Sequence, residues 1–190
     1  MLKGDDNTVK AVENQKNKFY FNNREIAMLA AFLALLLSTN LIWITGYVIG
    51  NVIYGIVEGL LMITAAVIIG KNYTVLTLGV ARTIAEILIA GAFVGSLTAV
   101  TFLINAIVLE AILQLAKPYA GSLKINVAGT AVYGLVTRIV FIGISVVFYG
   151  MVLPNWLLAF MIVVPVITFA LGGFLGDRIG NRVKNAISSM

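Results

Sequence analysis

The chain has 190 residues, 61% of them hydrophobic and 11% charged, with a mean hydropathy of +1.02 and a net charge of +5. Such values exclude an ordinary soluble domain and leave room for one membrane-embedded helical domain and little else. Cysteine and histidine are both absent, which removes disulfides, thiolate catalysis, the usual zinc ligand sets and imidazole acid–base chemistry; no catalytic residue, metal site or cofactor is expected.

Residues 1–25 mix both signs of charge with Asn and hold no apolar run, so they read as a soluble tail and not as a signal peptide. The first apolar segment runs from Ile26 to Ile44, followed by a link punctuated by Gly46 and Gly50, and a second covers Tyr47 to Gly70. Lys71 and Asn72 turn the chain into a third, Val75 to Phe93, and Gly91, Gly95 and Ser96 break the pattern before a fourth, Leu97 to Ala116. Lys117, Pro118 and Lys124 bracket the clearest loop, because Pro stops a helix and the lysines suit head-group depth. The fifth segment is Ile125 to Phe148, and the sixth begins at Pro154 and ends near Leu175. The expected organisation is an all-α membrane protein with an N-terminal tail (1–25), a six-helix transmembrane domain (26–176) and a basic C-terminal tail (177–190).

The basic residues test that count. Lys3, Lys10, Lys16, Lys18 and Arg24 precede the first segment, Lys71 follows the second, Lys117 and Lys124 follow the fourth, and Arg178, Arg182 and Lys184 follow the sixth. The alternate loops contain no Lys or Arg, so the positive-inside rule places both termini in the cytoplasm. The net charge is thereby read as a topology signal and a contact with lipid head groups, not as a nucleic-acid footprint.

Two arginines remain, Arg82 and Arg138, and both fall inside apolar segments together with Glu58, Glu86 and Glu110. An unpaired charge at mid-bilayer costs several kcal/mol, so these groups must face protein or water, and intramembrane ionisable residues mark function. Arg82 and Glu86 are spaced i, i+4 and share a face. Glu110, with Gln114 and Lys117 at i+4 and i+7, reads as a hydrated group at the inner mouth. Glu86 and Arg138 are expected to meet in the outer half of the site. Asn51, Tyr54 and Glu58 form a polar stripe on the second segment, Thr98, Thr101 and Asn105 one on the fourth, and Thr130, Tyr133 and Thr137 one on the fifth. The threonines suit helix-to-helix hydrogen bonds, and the charged members suit a polar solute. The candidate solute-binding residues are therefore Asn51, Tyr54, Glu58, Arg82, Glu86, Asn105, Tyr133 and Arg138. Trp43 and Tyr47, near Asn40 in the first outer loop, are candidate lid residues that stack on a flat ring; Trp156, directly after Pro154 and Asn155, reads as an interfacial anchor.

Ala27, Ala30, Ala31 and Ala34 carry an Ala-x-x-x-Ala pattern twice, a face that admits close approach of another helix. Gly172, Gly176 and Gly180 give the sixth segment a similar seam, read as internal packing, and Pro165 withholds a bond from the carbonyl of Met161.

Six segments with both ends cytoplasmic, an alanine-rich first helix and a Gly-rich basic finish, GGFLGDRIGNRVKNAI, resemble the substrate-binding S component of an energy-coupling factor transporter. The resemblance covers the whole chain by pattern. It implies a plasma-membrane protein of a prokaryote that binds a vitamin or related micronutrient near the outer side. It also implies association with a transmembrane coupling protein and two cytoplasmic ATPases, with Ala27, Ala30, Ala31 and Ala34 as the docking face and Trp43 to Gly50 as a lid. The histidine-bearing N-terminus of the cobalt and nickel members is missing, which argues against metal uptake. No Gly-x-x-x-x-Gly-Lys-Ser/Thr run occurs, so ATP use belongs to another subunit and the chain is not itself an enzyme. The alternative is a stand-alone proton-coupled transporter or channel for a small polar solute, in which the intramembrane carboxylates carry the proton.

Overall fold

The computed structural model describes residues 20–90, 99–148, 150–152 and 154–189, with the side chains of Tyr47, Ala90 and Ser188 outside that description. Among these residues there are helices and turns and no strand. Six α-helices follow one another: α1 (Asn23–Ser38), α2 (Tyr47–Ile69), α3 (Thr74–Ala90), α4 (Val100–Leu113), α5 (Leu123–Val147) and α6 (Asn155–Ser188). A 3-10 segment, Thr39–Thr45, joins α1 to α2.

Among the described residues four stretches are long and apolar enough to cross a membrane: Asn23–Thr45, Val48–Ile69, Leu123–Val147 and Asn155–Ile187. Helices α3 and α4 have 17 and 14 residues and are shorter than that measure. The expected break at Gly91, Gly95 and Ser96, like Thr98, lies outside the described residues.

Local chemistry sets the helix ends. Asn22 accepts from the Glu25 amide at 2.9 Å while Glu25 accepts from the Asn22 amide at 2.8 Å, a reciprocal cap that starts α1. Lys71 then pairs with Glu25 at 2.7 Å and ties this end to the α2–α3 turn. The apolar segment Ile26 to Ile44 is not one helix, because Ser38 and Thr39 turn their hydroxyls back onto the carbonyls of Ala34 and Leu36 and the chain tightens to 3-10 geometry. Only Gly46, at φ +90°, links this segment to α2; Gly50 lies within the helix, correcting the expected two-glycine link. Gly70, at φ +64°, ends α2 with its amide on the carbonyl of Ala66.

The core runs along the seam between α2 and α6. A Cβ at Gly59 would stand 2.8 Å from the Phe169 carbonyl and 3.3 Å from the Gly173 amide, and one at Gly176 would stand 2.6 Å from the Leu60 carbonyl. The glycines of α6 therefore pack inside the bundle, as their spacing suggested, and meet a second pair, Gly55 and Gly59, on α2. Contacts advance in the same sense along both helices, from Gly55 beside Phe169 to Gly180 beside Val67, so α2 and α6 run parallel. Helix α6 does not stop near Leu175: it continues to Ser188, and Asp177 in that extension is buried, accepting from Asn126 of α5 at 2.7 Å and from Asn181 at 3.1 Å. A carboxylate satisfied by two amides lets the helix carry the basic residues onward without a break.

Candidate functional site

Arg82 stands at the middle of α3 with none of its surface exposed, and four elements converge on it. Its Nη1 meets Glu58 Oε1 of α2 at 2.9 Å, and its Nε lies 3.7 Å from Glu86 Oε1, the i, i+4 partner on its own helix. Nη2 donates to the Tyr54 hydroxyl at 3.0 Å and to Thr39 Oγ1 of the 3-10 segment at 3.5 Å. Phe102 of α4 presents its ring face with the centroid 4.0 Å from the guanidinium carbon. From α5, the Tyr133 hydroxyl donates to Glu58 Oε1 at 2.5 Å. Burying three charges is tolerable because each has an opposite partner and added hydrogen bonds.

The first loop closes over this cluster. Asn40 donates its side-chain amide to Glu86 Oε1 at 2.7 Å, Thr39 contacts Arg82, and the Trp43 ring lies 5.3 Å from that of Tyr54. Asn40 is exposed whereas Glu86, behind it, is buried, so Asn40 marks the mouth of the cluster. Of the two residues expected in a lid, Trp43 lies in the 3-10 segment that touches the cluster, and Tyr47 opens α2 with its side chain outside the described residues.

The expected pairing of Glu86 with Arg138 is not present. Arg138 donates through Nη2 to Asn51 Oδ1, two turns before Glu58 on α2, while Glu86 is taken by Arg82 and Asn40. The i, i+4 geometry of α3 supplied the nearer cation. Asn105 of α4 donates to Thr137 Oγ1 at 2.7 Å, and Thr137 in turn donates to the Tyr133 carbonyl at 2.7 Å. Because that single hydroxyl proton is spent on the carbonyl, Asn105 must present its NH2 to Thr137, which leaves Asn105 Oδ1 as an acceptor. Glu58 Oε2, Asn105 Oδ1, Asn51 Nδ2 and Thr101 Oγ1 are buried with no hydrogen-bond partner among the described residues. Buried polar atoms are rarely left so, and each calls for a partner such as water, an ion or a bound solute.

Glu110 is not a hydrated group at a mouth. It is buried at 3% exposure and accepts from the backbone amides of Tyr73, Val75 and Leu76 at 2.6, 3.2 and 3.3 Å, from Gln114 at 3.0 Å and from the Tyr119 hydroxyl at 2.8 Å. A carboxylate on α4 therefore caps the N-terminus of α3, where orphan amides and the helix dipole favour it. Burial, and then the neighbouring Glu110 carboxylate, push the Tyr119 hydroxyl above its ordinary value, so it stays a donor. This clamp fixes the register of the helix that carries Arg82 and Glu86.

Two contacts of Arg82 were not foreseen, Thr39 and Phe102. Thr39 stands between Ser38 and Asn40 where the first apolar run breaks, and reads as a turn residue, and Phe102 is one of many apolar residues on α4; neither belongs to the polar stripes of the later segments. The alanine face is a different kind of feature: Ala27, Ala30, Ala31 and Ala34 are all exposed, whereas Leu29 and Leu36 on the other side of α1 are buried. Trp156 is 72% exposed, as an anchor would be. A cavity of about 190 Å³ lies at the opposite, basic end, lined by Arg24, Glu25, Met28, Ile69 and Lys184 among others, well away from the charges. It is smaller than sites that enclose drug-sized ligands.

Comparison with known protein families, with curated proteins and with solved structures found no match.

Proposed function

We propose that the chain is a six-span membrane protein with both termini in the cytoplasm, the solute-binding subunit of an ATP-driven importer of the energy-coupling factor type. The observation that carries this reading is the closure of the first-loop segment on intramembrane charges: Thr39, Asn40 and Trp43 are held to Arg82, Glu86 and Tyr54. A lid that touches the ionic groups directly isolates whatever binds there from water, and water exclusion strengthens every polar contact inside. Charged side chains would not be kept at mid-helix for packing alone, since apolar residues of similar volume serve as well or better. The solute is a small vitamin-like micronutrient, and the protein itself hydrolyses nothing.

The exposed alanine face supports a partner. Four small residues turned outward on α1 offer little to lipid beyond what Leu would, but they let another helix come close. In the proposed assembly this face docks on a transmembrane coupling protein that carries two cytoplasmic ATPases, in the plasma membrane of a prokaryote.

Purification from native membranes in mild detergent, followed by mass spectrometry of retained proteins and small molecules, tests the proposal. Recovery of a membrane partner with ATPases, and uptake that needs ATP, is the expected result. Uptake by the lone protein in liposomes, driven by a proton gradient, would establish instead a stand-alone transporter built on the same carboxylates.

A further inference from the structure

We infer that the cavity at the basic end of the bundle seats the head group of an anionic phospholipid, whose phosphate bridges Arg24 of α1 and Lys184 of α6. The inference needs only that this end of the helices lies at a membrane surface, and it is independent of the solute site. The first observation behind it is a pair of uncommitted cations. Arg24 and Lys184 stand on the wall of one cavity, and neither has an ion pair or a hydrogen bond among the described residues. The acid beside them, Glu25, is already taken: its Oε2 accepts from Lys71 at 2.7 Å and from the Asn22 amide at 2.8 Å. Asn22, on the same wall, spends its side-chain oxygen on the Glu25 amide at 2.9 Å and keeps its NH2 to donate. Two cations and a neutral donor are thus offered to an anion.

Local structure holds the cations there. Lys184 reaches over the end of α2, where its Nζ stands 3.4 Å from the point that a Cβ on Gly70 would take. The glycine that closes α2 leaves the ammonium its room, and the last carbonyls of that helix favour a cation. Arg24 lies in the first turn of α1, where the helix dipole disfavours a cation, so it gains from an anionic neighbour.

The second observation is the shape of the place. Helices α1 and α6 each pack on α2 but, among the described residues, do not touch one another, so the end of α2 is the floor of a cleft between them. Met28, Ile68, Ile69 and Ile187 give this cavity an apolar wall beside the cations. A free anion has no use for such a wall, whereas the glycerol and first acyl carbons of a phospholipid continue from its phosphate and bury against it. At about 190 Å³ the cavity takes a head group and not a whole lipid, whose chains run outside it along the cleft. Third, Arg24 stands just before the apolar run that opens at Ile26, the depth at which head groups meet a span. Basic pockets between transmembrane helices suit anionic head groups, and each Lys or Arg near the surface adds roughly fivefold in affinity.

The test uses the full chain in dodecyl maltoside mixed with phosphatidylglycerol, with phosphatidylcholine of the same acyl chains, or with inorganic phosphate alone. Phosphatidylglycerol should raise the unfolding midpoint more than phosphatidylcholine does, and native mass spectrometry should find it retained on the chain. Arg24→Gln combined with Lys184→Gln, at two exposed positions where folding is not at stake, should weaken phosphatidylglycerol binding by about tenfold or more and cancel its effect on the midpoint. Lys117→Gln combined with Lys124→Gln, also exposed, removes the same charge and should leave both readouts unchanged. Equal effects of the two lipids, equal losses in the two double variants, or phosphatidylglycerol held as tightly without Arg24 and Lys184 overturns the inference. Protection by inorganic phosphate equal to that by phosphatidylglycerol overturns it too, since the cavity would then serve a free anion.

Discussion

Replacing Arg82 by Met removes a charge from the centre of the bundle and keeps an unbranched apolar stem beside Phe102. The variant loses the ion contacts to Glu58 and Glu86, at 2.9 and 3.7 Å, and the hydrogen bond to Tyr54 at 3.0 Å. Both carboxylates are then stranded, at 1% and 7% exposure. Breaking a buried ion pair by removing one member costs roughly 3 to 5 kcal/mol, and proton uptake by a stranded carboxyl relieves part of it. For a chain of this length that corresponds to a fall in the unfolding midpoint on the order of 10 °C. The deciding measurement compares Arg82→Met alone with Arg82→Met combined with Glu58→Gln and Glu86→Gln, by thermal and denaturant unfolding in detergent. The neutral triple variant strands no charge, so it should recover most of the lost stability although it carries more substitutions. A triple variant less stable than Arg82→Met would refute the reasoning, because it would mean that the carboxylates contribute through contacts other than the guanidinium.

The exposed alanine face yields a prediction of opposite pattern: Ala31→Leu or Ala34→Leu should leave solute binding and midpoint nearly unchanged and abolish ATP-dependent uptake, and equal loss of binding and uptake would place these alanines inside the bundle. Gly59→Leu should destabilise by about 1 to 3 kcal/mol or more, since even its Cβ would stand 2.8 Å from the Phe169 carbonyl; unfolding in detergent reads it, and a neutral effect would mean that α2 and α6 are not in contact there. Glu110→Gln retains one acceptor oxygen for five donors and should cost about 1 to 3 kcal/mol. Hydrogen exchange should quicken at the amides of Tyr73, Val75 and Leu76 before elsewhere in α3, and unchanged exchange would count against the cap.

The helices were legible because apolar length and glycine or proline punctuation are local properties: Gly70 ends α2 in a left-handed turn and Pro154 precedes α6, as their positions in the sequence suggested. The C-terminal end misled because a polar basic run reads as a tail, whereas Asp177 reaches Asn126 on a neighbouring helix and the helix goes on. Polar spacing placed Asn51, Tyr54 and Glu58 on one buried face of α2, but spacing along one helix carries no information on which partner helix a face meets. The two glutamates of the notional inner and outer ends illustrate this. Glu110 and Glu86 look alike in sequence, each an acid in an apolar run; one caps a helix with backbone amides and the other holds a side-chain cation. What separates them is the element opposite, the amide-bearing start of α3 for Glu110 and the guanidinium one turn before it for Glu86. Glu110 is held by three backbone amides at the fixed start of a helix, whereas Glu86 is held by Arg82 of its own helix and by the side chain of Asn40, an exposed residue of the 3-10 segment, so the same acid is a helix cap in one place and half of an intrahelical ion pair in the other.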